Sequence, residues 1–209
     1  MKTALFDLDG TLIDSRADLV CAVNLTRRDF GLAPQPDEAI VSCVGDGVRR
    51  LIERAIPERP ELWDDMVARQ RENYGAHLLD QTRLYPGVRA AVESLSARGW
   101  RLGVVTNKPG FFVRPILEGL GVLSFFGAIV GGGDCSRLKP DPEPLRLAAR
   151  LLGAELTADD WMVGDHVTDL ESGRNAGVRR CFCRYGFGEA RGEAFDMAVD
   201  ALDEFARRV

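Results

Sequence analysis

The sequence predicts an α/β fold, a parallel sheet with helices on both faces, interrupted near its start by an all-helical insertion. Two observations carry this reading. Short apolar runs of strand length alternate with stretches of helical spacing. Residues 14–82 break that rhythm, with helical patterns almost throughout and no convincing apolar strand. The first run, Thr3-Ala4-Leu5-Phe6, feeds a glycine-containing turn at residues 7–11. Helices are expected over 16–30, 37–43, 48–55 and 60–79. The pattern then resumes with a helix over 88–97, apolar at 88, 91, 92 and 95, with Pro86-Gly87 before it and Gly99 beyond it. Strands follow at 101–105, 128–130, 161–163 and 178–183, with helices at 113–120 and 145–152. Residues 191–209 read as a loop and a closing amphipathic helix. Two units result, a core of 1–13 plus 83–209 and an inserted unit of 14–82.

Composition narrows the function. With 209 residues, 45% of them hydrophobic, the chain needs no disulfide or metal staple to fold. Its 27 basic and 32 acidic residues give a formal charge of −5, which argues against nucleic acid or an anionic membrane as partner. No apolar run approaches the roughly 20 residues of a spanning helix, and Asp7 comes too early for a secretory signal. The five cysteines are scattered in neither a disulfide framework nor a zinc pattern, so a reducing cytoplasm is expected. Only three cationic residues are lysines, against 24 arginines. That is an arginine bias, and it singles out the two interior lysines, Lys108 and Lys139.

In an open α/β sheet ligands bind at the carboxyl ends of the strands. After the first strand come Asp7, Asp9 and Thr11; after the second, Thr106, Asn107 and Lys108. The loop after the third leads to Lys139-Pro140, and after the fourth stand Asp165 and Asp169. Taken singly, Thr106-Asn107 fits a helix cap, Lys139-Pro140 an exposed loop and Asp169 a helix-start carboxylate. Lys108 fits a solvated loop equally well. Together, four carboxylates on one rim require a cation between them, and Mg²⁺ takes one or two carboxylates plus phosphate oxygens and water.

Four motifs in order carry a resemblance: Asp7-Leu8-Asp9-Gly10-Thr11, Thr106-Asn107-Lys108, Lys139-Pro140-Asp141-Pro142 and Gly164-Asp165-His166-Val167-Thr168-Asp169. The chain resembles the haloacid dehalogenase superfamily of phosphatases, most of all its phosphoglycolate phosphatase branch. The resemblance implies a Rossmann-like core and places the insertion where that family keeps its helical cap. It also implies roles. Asp7 is the nucleophile that forms an aspartyl-phosphate. Asp9 protonates the leaving alkoxide and later takes a proton from water, and its backbone carbonyl joins Asp7 and Asp165 in holding Mg²⁺. Asp169 acts from behind these ligands or through a bound water. Thr106 and the backbone N–H of Asn107 hold phosphate oxygens, and Lys139 neutralises Asp7 and the phosphoryl group. One position departs from the pattern: where the family most often has a small polar residue this chain has His166, expected behind the site or at the surface. His77 is expected on a helix surface.

Within the insertion, Val44-Gly45-Asp46-Gly47 opens a helix and resembles the family's substrate loop, which makes Gly45, Arg49 and Arg50 candidates for meeting a substrate carboxylate. A phosphonatase would use a cap lysine, and residues 14–82 contain none; a dehalogenase would lack Asp9. The expectation is therefore a Mg²⁺-dependent phosphomonoesterase for a small phosphate ester, 2-phosphoglycolate first, as a monomer or homodimer. A β-phosphoglucomutase-like phosphotransferase and a non-catalytic binding module of the same fold are the alternatives.

Overall fold

A computed structural model describes the whole chain, residues 1–209. In order, the elements are β1 (Thr3–Phe6), β2 (Ile13–Asp14), α1 (Arg16–Asp29), α2 (Asp37–Val41), α3 (Val48–Ala55), α4 (Trp63–Ala76) and β3 (Arg83–Leu84). There follow α5 (Val88–Ala97), β4 (Arg101–Pro109), α6 (Gly110–Gly119), β5 (Ala128–Gly132), α7 (Glu143–Leu151) and β6 (Trp161–Gly164). The chain ends with α8 (Val167–Ala176), β7 (Arg179–Cys183), β8 (Met197–Val199) and α9 (Leu202–Arg208).

Six strands form one parallel sheet in the order β5-β4-β1-β6-β7-β8, so β1 is central and its carboxyl end opens between those of β4 and β6. Burial of both faces explains why β1 is apolar without alternation. Ala4 and Phe6 pack with Val92, Phe112 and Phe205 on one side, while Leu5 packs with Val105, Val130 and Leu145 on the other.

The sequence reading departs from the structure at the rim and in the tail. β4 continues past Val105 through Thr106-Asn107-Lys108 to Pro109, because those polar groups are buried in a site rather than solvated. The tail holds a sixth strand, β8, pairing Cys181 with Met197 and Cys183 with Val199. At three residues it is too short to leave an apolar run.

Helices α1–α4 enclose a small core of their own, including Val23, Ile40, Ile52 and Met66. The chain leaves for them and returns through β2 and β3, an antiparallel pair with Ile13 opposite Leu84. The buried Asp18 carboxylate ties the return: it accepts from the N–H of Gln81 at 3.0 Å and of Thr82 at 2.8 Å, and from Thr82 Oγ1 at 2.7 Å. All five cysteines are unpaired. No helix is long and apolar enough to cross a membrane.

Candidate active site

Asp7 leaves β1 with its N–H still donating to Val163 O at 2.9 Å, which fixes it beside the end of β6. The chain then folds tightly, Leu8 O accepting from the N–H of Leu12 at 2.9 Å and of Ile13 at 3.0 Å. Glycine is required in that turn: Gly10 has φ +87°, and a Cβ there would lie 2.0 Å from Asp165 Oδ2. The turn therefore seats directly on the Asp165 carboxylate. Thr11 Oγ1 donates to Asp165 Oδ1 at 3.1 Å, and the N–H groups of Gly188 and Phe187 donate to Oδ2 at 2.8 and 3.1 Å.

Lys139 crosses from the loop after β5. Its Nζ donates to Asp7 Oδ1 at 2.8 Å, Asp169 Oδ1 at 2.6 Å and Val105 O at 2.7 Å. Asn107 holds that loop in place, Oδ1 accepting from Lys139 N–H at 2.9 Å and Nδ2 donating to Lys139 O at 3.0 Å. The same Nδ2 donates to Gly45 O at 3.0 Å, which ties the loop before α3 to the core. Asp169 Oδ2 accepts from His166 N–H at 3.0 Å.

One lysine among three buried carboxylates leaves a surplus of negative charge. Burial pushes the Asp7 carboxyl up from 3.8 to about 6, Lys139 opposing and Asp169 adding to the rise. Burial, and then the charges of Asp7 and Asp169, hold Asp165 well above the usual carboxylate range. Burial disfavours the Lys139 ammonium, but the Asp169 and Asp7 charges outweigh it and its pKa is raised. Asp7, Asp165 and Asp169 each offer a carboxylate oxygen, all within 4.8 Å of one another. An all-oxygen donor set, buried and short of positive charge, fits a hard divalent cation.

The Asp9 side chain stands outside this cluster. Lys108 Nζ donates to its two oxygens at 2.9 and 3.0 Å, and Ser15 Oγ donates to Oδ1 at 2.6 Å. Lys108 is therefore no solvated loop lysine. It is buried, 4.2 Å from the centroid of the Tyr74 ring, which comes from α4. Burial lowers its pKa, yet Asp9 and Tyr74 together raise it above the ordinary value.

The family model of the haloacid dehalogenase-like hydrolases matches residues 4–183. The chain belongs to that family. Among similar proteins, a phosphoglycolate phosphatase of Chromobacterium violaceum is 36% identical across 98% of this chain and 94% of its own. A phosphoglycolate phosphatase of Cereibacter sphaeroides is 38% identical across 91% and 88%. A crystal structure from Haemophilus somnus, titled a predicted phosphoglycolate phosphatase, superposes with TM-score 0.88 at 27% identity over 99% of this chain and 97% of that one.

In this haloacid dehalogenase-like hydrolase, Asp7, Asp9, Asp165, Thr106, Asn107 and Gly45 line one cavity between the sheet rim and the α1–α4 unit. Arg49 and Arg50 are not brought there. On the outer face of α3, their side chains are 52% and 64% exposed, and both pair with Glu53, Arg49 at 2.8 Å and Arg50 at 2.6 Å. Arg49 also pairs with Asp64. The cause is helical phase: α3 turns Val48, Leu51 and Ile52 inward, so positions 49 and 50 face out. His166 is not at the surface: it is buried and among the residues that line the cavity, while His77 follows α4 with Nδ1 2.7 Å from Asp80 Oδ2.

Sequence reasoning missed Ser15, Tyr74 and the N–H pair of Phe187 and Gly188. Ser15 carries a usable signal. It stands just before α1, where a serine ordinarily caps, yet it makes no capping bond and gives its hydroxyl to Asp9. Tyr74 reads as an ordinary apolar helix position, and backbone donors carry no residue signature.

Proposed function

We propose that this phosphoric monoester hydrolase acts on 2-phosphoglycolate through an aspartyl-phosphate on Asp7, with Mg²⁺ as cofactor, and that residues 14–82 serve as its lid. One observation carries the mechanism: in one cavity, Asp7 has Oδ1 tied to Lys139 while Oδ2 has no protein partner. Oδ2 is then the oxygen that attacks phosphorus. The bond from phosphorus to the ester oxygen breaks as the new one forms, and Asp9, in its protonated form, gives the leaving oxygen its proton. In the second half Asp9 takes a proton from water as that water attacks phosphorus, releasing inorganic phosphate and the Asp7 carboxylate.

Lys108 and Ser15 hold Asp9 in one orientation for both steps, and Lys139 offsets charge on Asp7 and the phosphoryl oxygens. Thr106 and Asn107 border the phosphoryl position. Asp7, Asp165 and the carbonyl of Asp9 would hold Mg²⁺, with Asp169 behind them, and the ion would supply positive charge to the transferring phosphoryl group. Burial of the site strengthens each of these interactions.

For the substrate, support comes from the names of the relatives. A cytoplasmic monomer or homodimer acting on a free small molecule is the setting we propose.

The test is phosphate release with Mg²⁺ from 2-phosphoglycolate, glycerol phosphates and glucose 1-phosphate, compared by kcat/KM. The proposal expects 2-phosphoglycolate to rank first and chelator or Asp7→Asn to abolish turnover. Conversion of glucose 1-phosphate to glucose 6-phosphate without phosphate release would establish the phosphotransferase alternative. Turnover that survives Asp7→Asn would remove the nucleophile assignment.

A further inference from the structure

His166 is the N-cap of α8, and its two ring nitrogens are in different positions. Nδ1 accepts from the Thr168 N–H at 3.4 Å and lies 2.9 Å from Thr168 Oγ1. With Nδ1 accepting, Nε2 carries the hydrogen, and it does so in the imidazolium as well. The ring is only 6% exposed, and Nε2 is buried with no hydrogen-bond partner. Buried donors are rarely left unmade. His166 is one of the residues that line the reaction cavity, next to Asp165 in sequence.

The ring is held at the seam between lid and core. A Cβ on Gly45 would lie 2.9 Å from His166 Nε2 and Cε1 and 3.0 Å from Nδ1, so the lid loop packs directly on the face of the ring. Asn107 secures the other side of that loop through Gly45 O. Just beyond, α3 begins after Gly47 with no side-chain cap, and Gly47 and Val48 line the same cavity. The two buried lysines are already committed to carboxylates, Lys139 to Asp7 and Asp169 and Lys108 to Asp9. Among the charges that act on the ring are Asp46 and Arg191 on neighbouring loops and Asp7 and Lys139 in the site, and none of them bonds to Nε2.

We propose that His166 Nε2–H donates to the carboxylate at the non-reacting end of the substrate, and so sets specificity for a carboxylated phosphate ester. The inference rests on the 2-phosphoglycolate reading and replaces Arg49 and Arg50 in that role. A phosphoryl group at Asp7 leaves the rest of a two-carbon ester facing the lid loop, where the orphan donor and the open start of α3 are the available anion partners. A hydrogen bond to a charged group is the strong kind, so its loss is expected to cost roughly ten- to a hundredfold in affinity.

The experiment compares kcat/KM for 2-phosphoglycolate and ethyl phosphate, which carries a methyl group in place of the carboxylate, using the Mg²⁺-loaded enzyme. His166→Phe keeps a ring and removes the N–H; His166→Gln keeps a donor. The ratio of the two kcat/KM values is expected to fall about tenfold or more in His166→Phe, mainly through KM, and to recover partly in His166→Gln. An unchanged ratio, with both substrates losing equally, overturns the proposal and leaves His166 as a helix cap. Equal use of both esters by the wild type overturns the substrate reading itself while leaving the phosphatase intact.

Should His166→Phe not fold, ¹⁵N NMR of the wild type decides, because the chain has two histidines. The Nε2 resonance of His166 is expected to shift with 3-phosphonopropionate and not with propylphosphonate. Identical shifts overturn the proposal.

Discussion

Asp7→Asn is expected to stabilise the metal-free protein at neutral pH while abolishing hydrolysis. The Asp7 carboxyl is raised from 3.8 to about 6, first by burial and then by Asp169, against the pull of Lys139. Because the folded value lies above the unfolded one, the folded state holds the proton more tightly. The stability this contributes is fully present below about pH 4 and is lost as pH rises through about 6. At about 1.4 kcal/mol per pKa unit, the loss is about 3 kcal/mol at pH 7.5. Asparagine keeps the shape and carries no charge. Lys139 is not orphaned by the change, since it retains Asp169 at 2.6 Å and Val105 O at 2.7 Å. For a chain of this length each kcal/mol moves Tm by about 2–4 °C, so the variant should melt roughly 6–12 °C higher in chelator at pH 7.5. At pH 5 about half of that gap should remain. Mg²⁺ should narrow it by binding the folded wild type, which keeps the ligand the variant lost. A variant that melts at or below the wild type in chelator at pH 7.5, or a gap independent of pH, refutes the reasoning.

Lys108→Met breaks a buried pair and leaves the Asp9 charge without its partner. It should cost about 3–5 kcal/mol in urea denaturation and lower kcat on the order of a hundredfold; Asp9→Asn added to it should recover stability without activity, and a fully stable Lys108→Met would contradict the pairing. The double variant Arg49→Ala/Arg50→Ala should keep kcat/KM for 2-phosphoglycolate within about twofold, because both side chains point outward to Glu53. A tenfold loss there would return the carboxylate role to α3.

What the sequence discloses about the site follows from how each group is carried. Asp7, Thr106, Lys139 and Asp165 are side chains at strand ends or in a strand-end loop, and the parallel topology brings those ends to one rim whatever their distance in sequence. The turn at Gly10 was legible as a turn, but its reason was not, since only the folded chain sets it against Asp165. Of the three cap residues the sequence offered for a substrate carboxylate, Gly45 lines the cavity and Arg49 and Arg50 lie outside it. A helix changes face within one or two residues, and the outward phase of these two is set by which neighbours α3 buries. His166 shows what a motif position leaves unsaid: the expectation was a place behind the site or at the surface, and the structure buries the ring beside the cavity with Nδ1 capping α8 and Nε2 unpartnered.

The lysine count carried more than composition. Arginine supplies 24 of the 27 basic side chains, yet the two interior lysines are the two buried cations of the site. At Lys139 three acceptors converge on one nitrogen, Asp7 Oδ1, Asp169 Oδ1 and Val105 O, which matches the three hydrogens of an ammonium. A guanidinium there would bring five donors in a rigid plane, larger than the gap and with donors left unmade in a dry site. At Lys108 the ammonium meets both oxygens of Asp9 on one side and the face of Tyr74 on the other, again a point charge between partners. On a solvated surface either cation serves, but where acceptors are arranged around a point only the ammonium fits, and both interior lysines of this chain stand at such points.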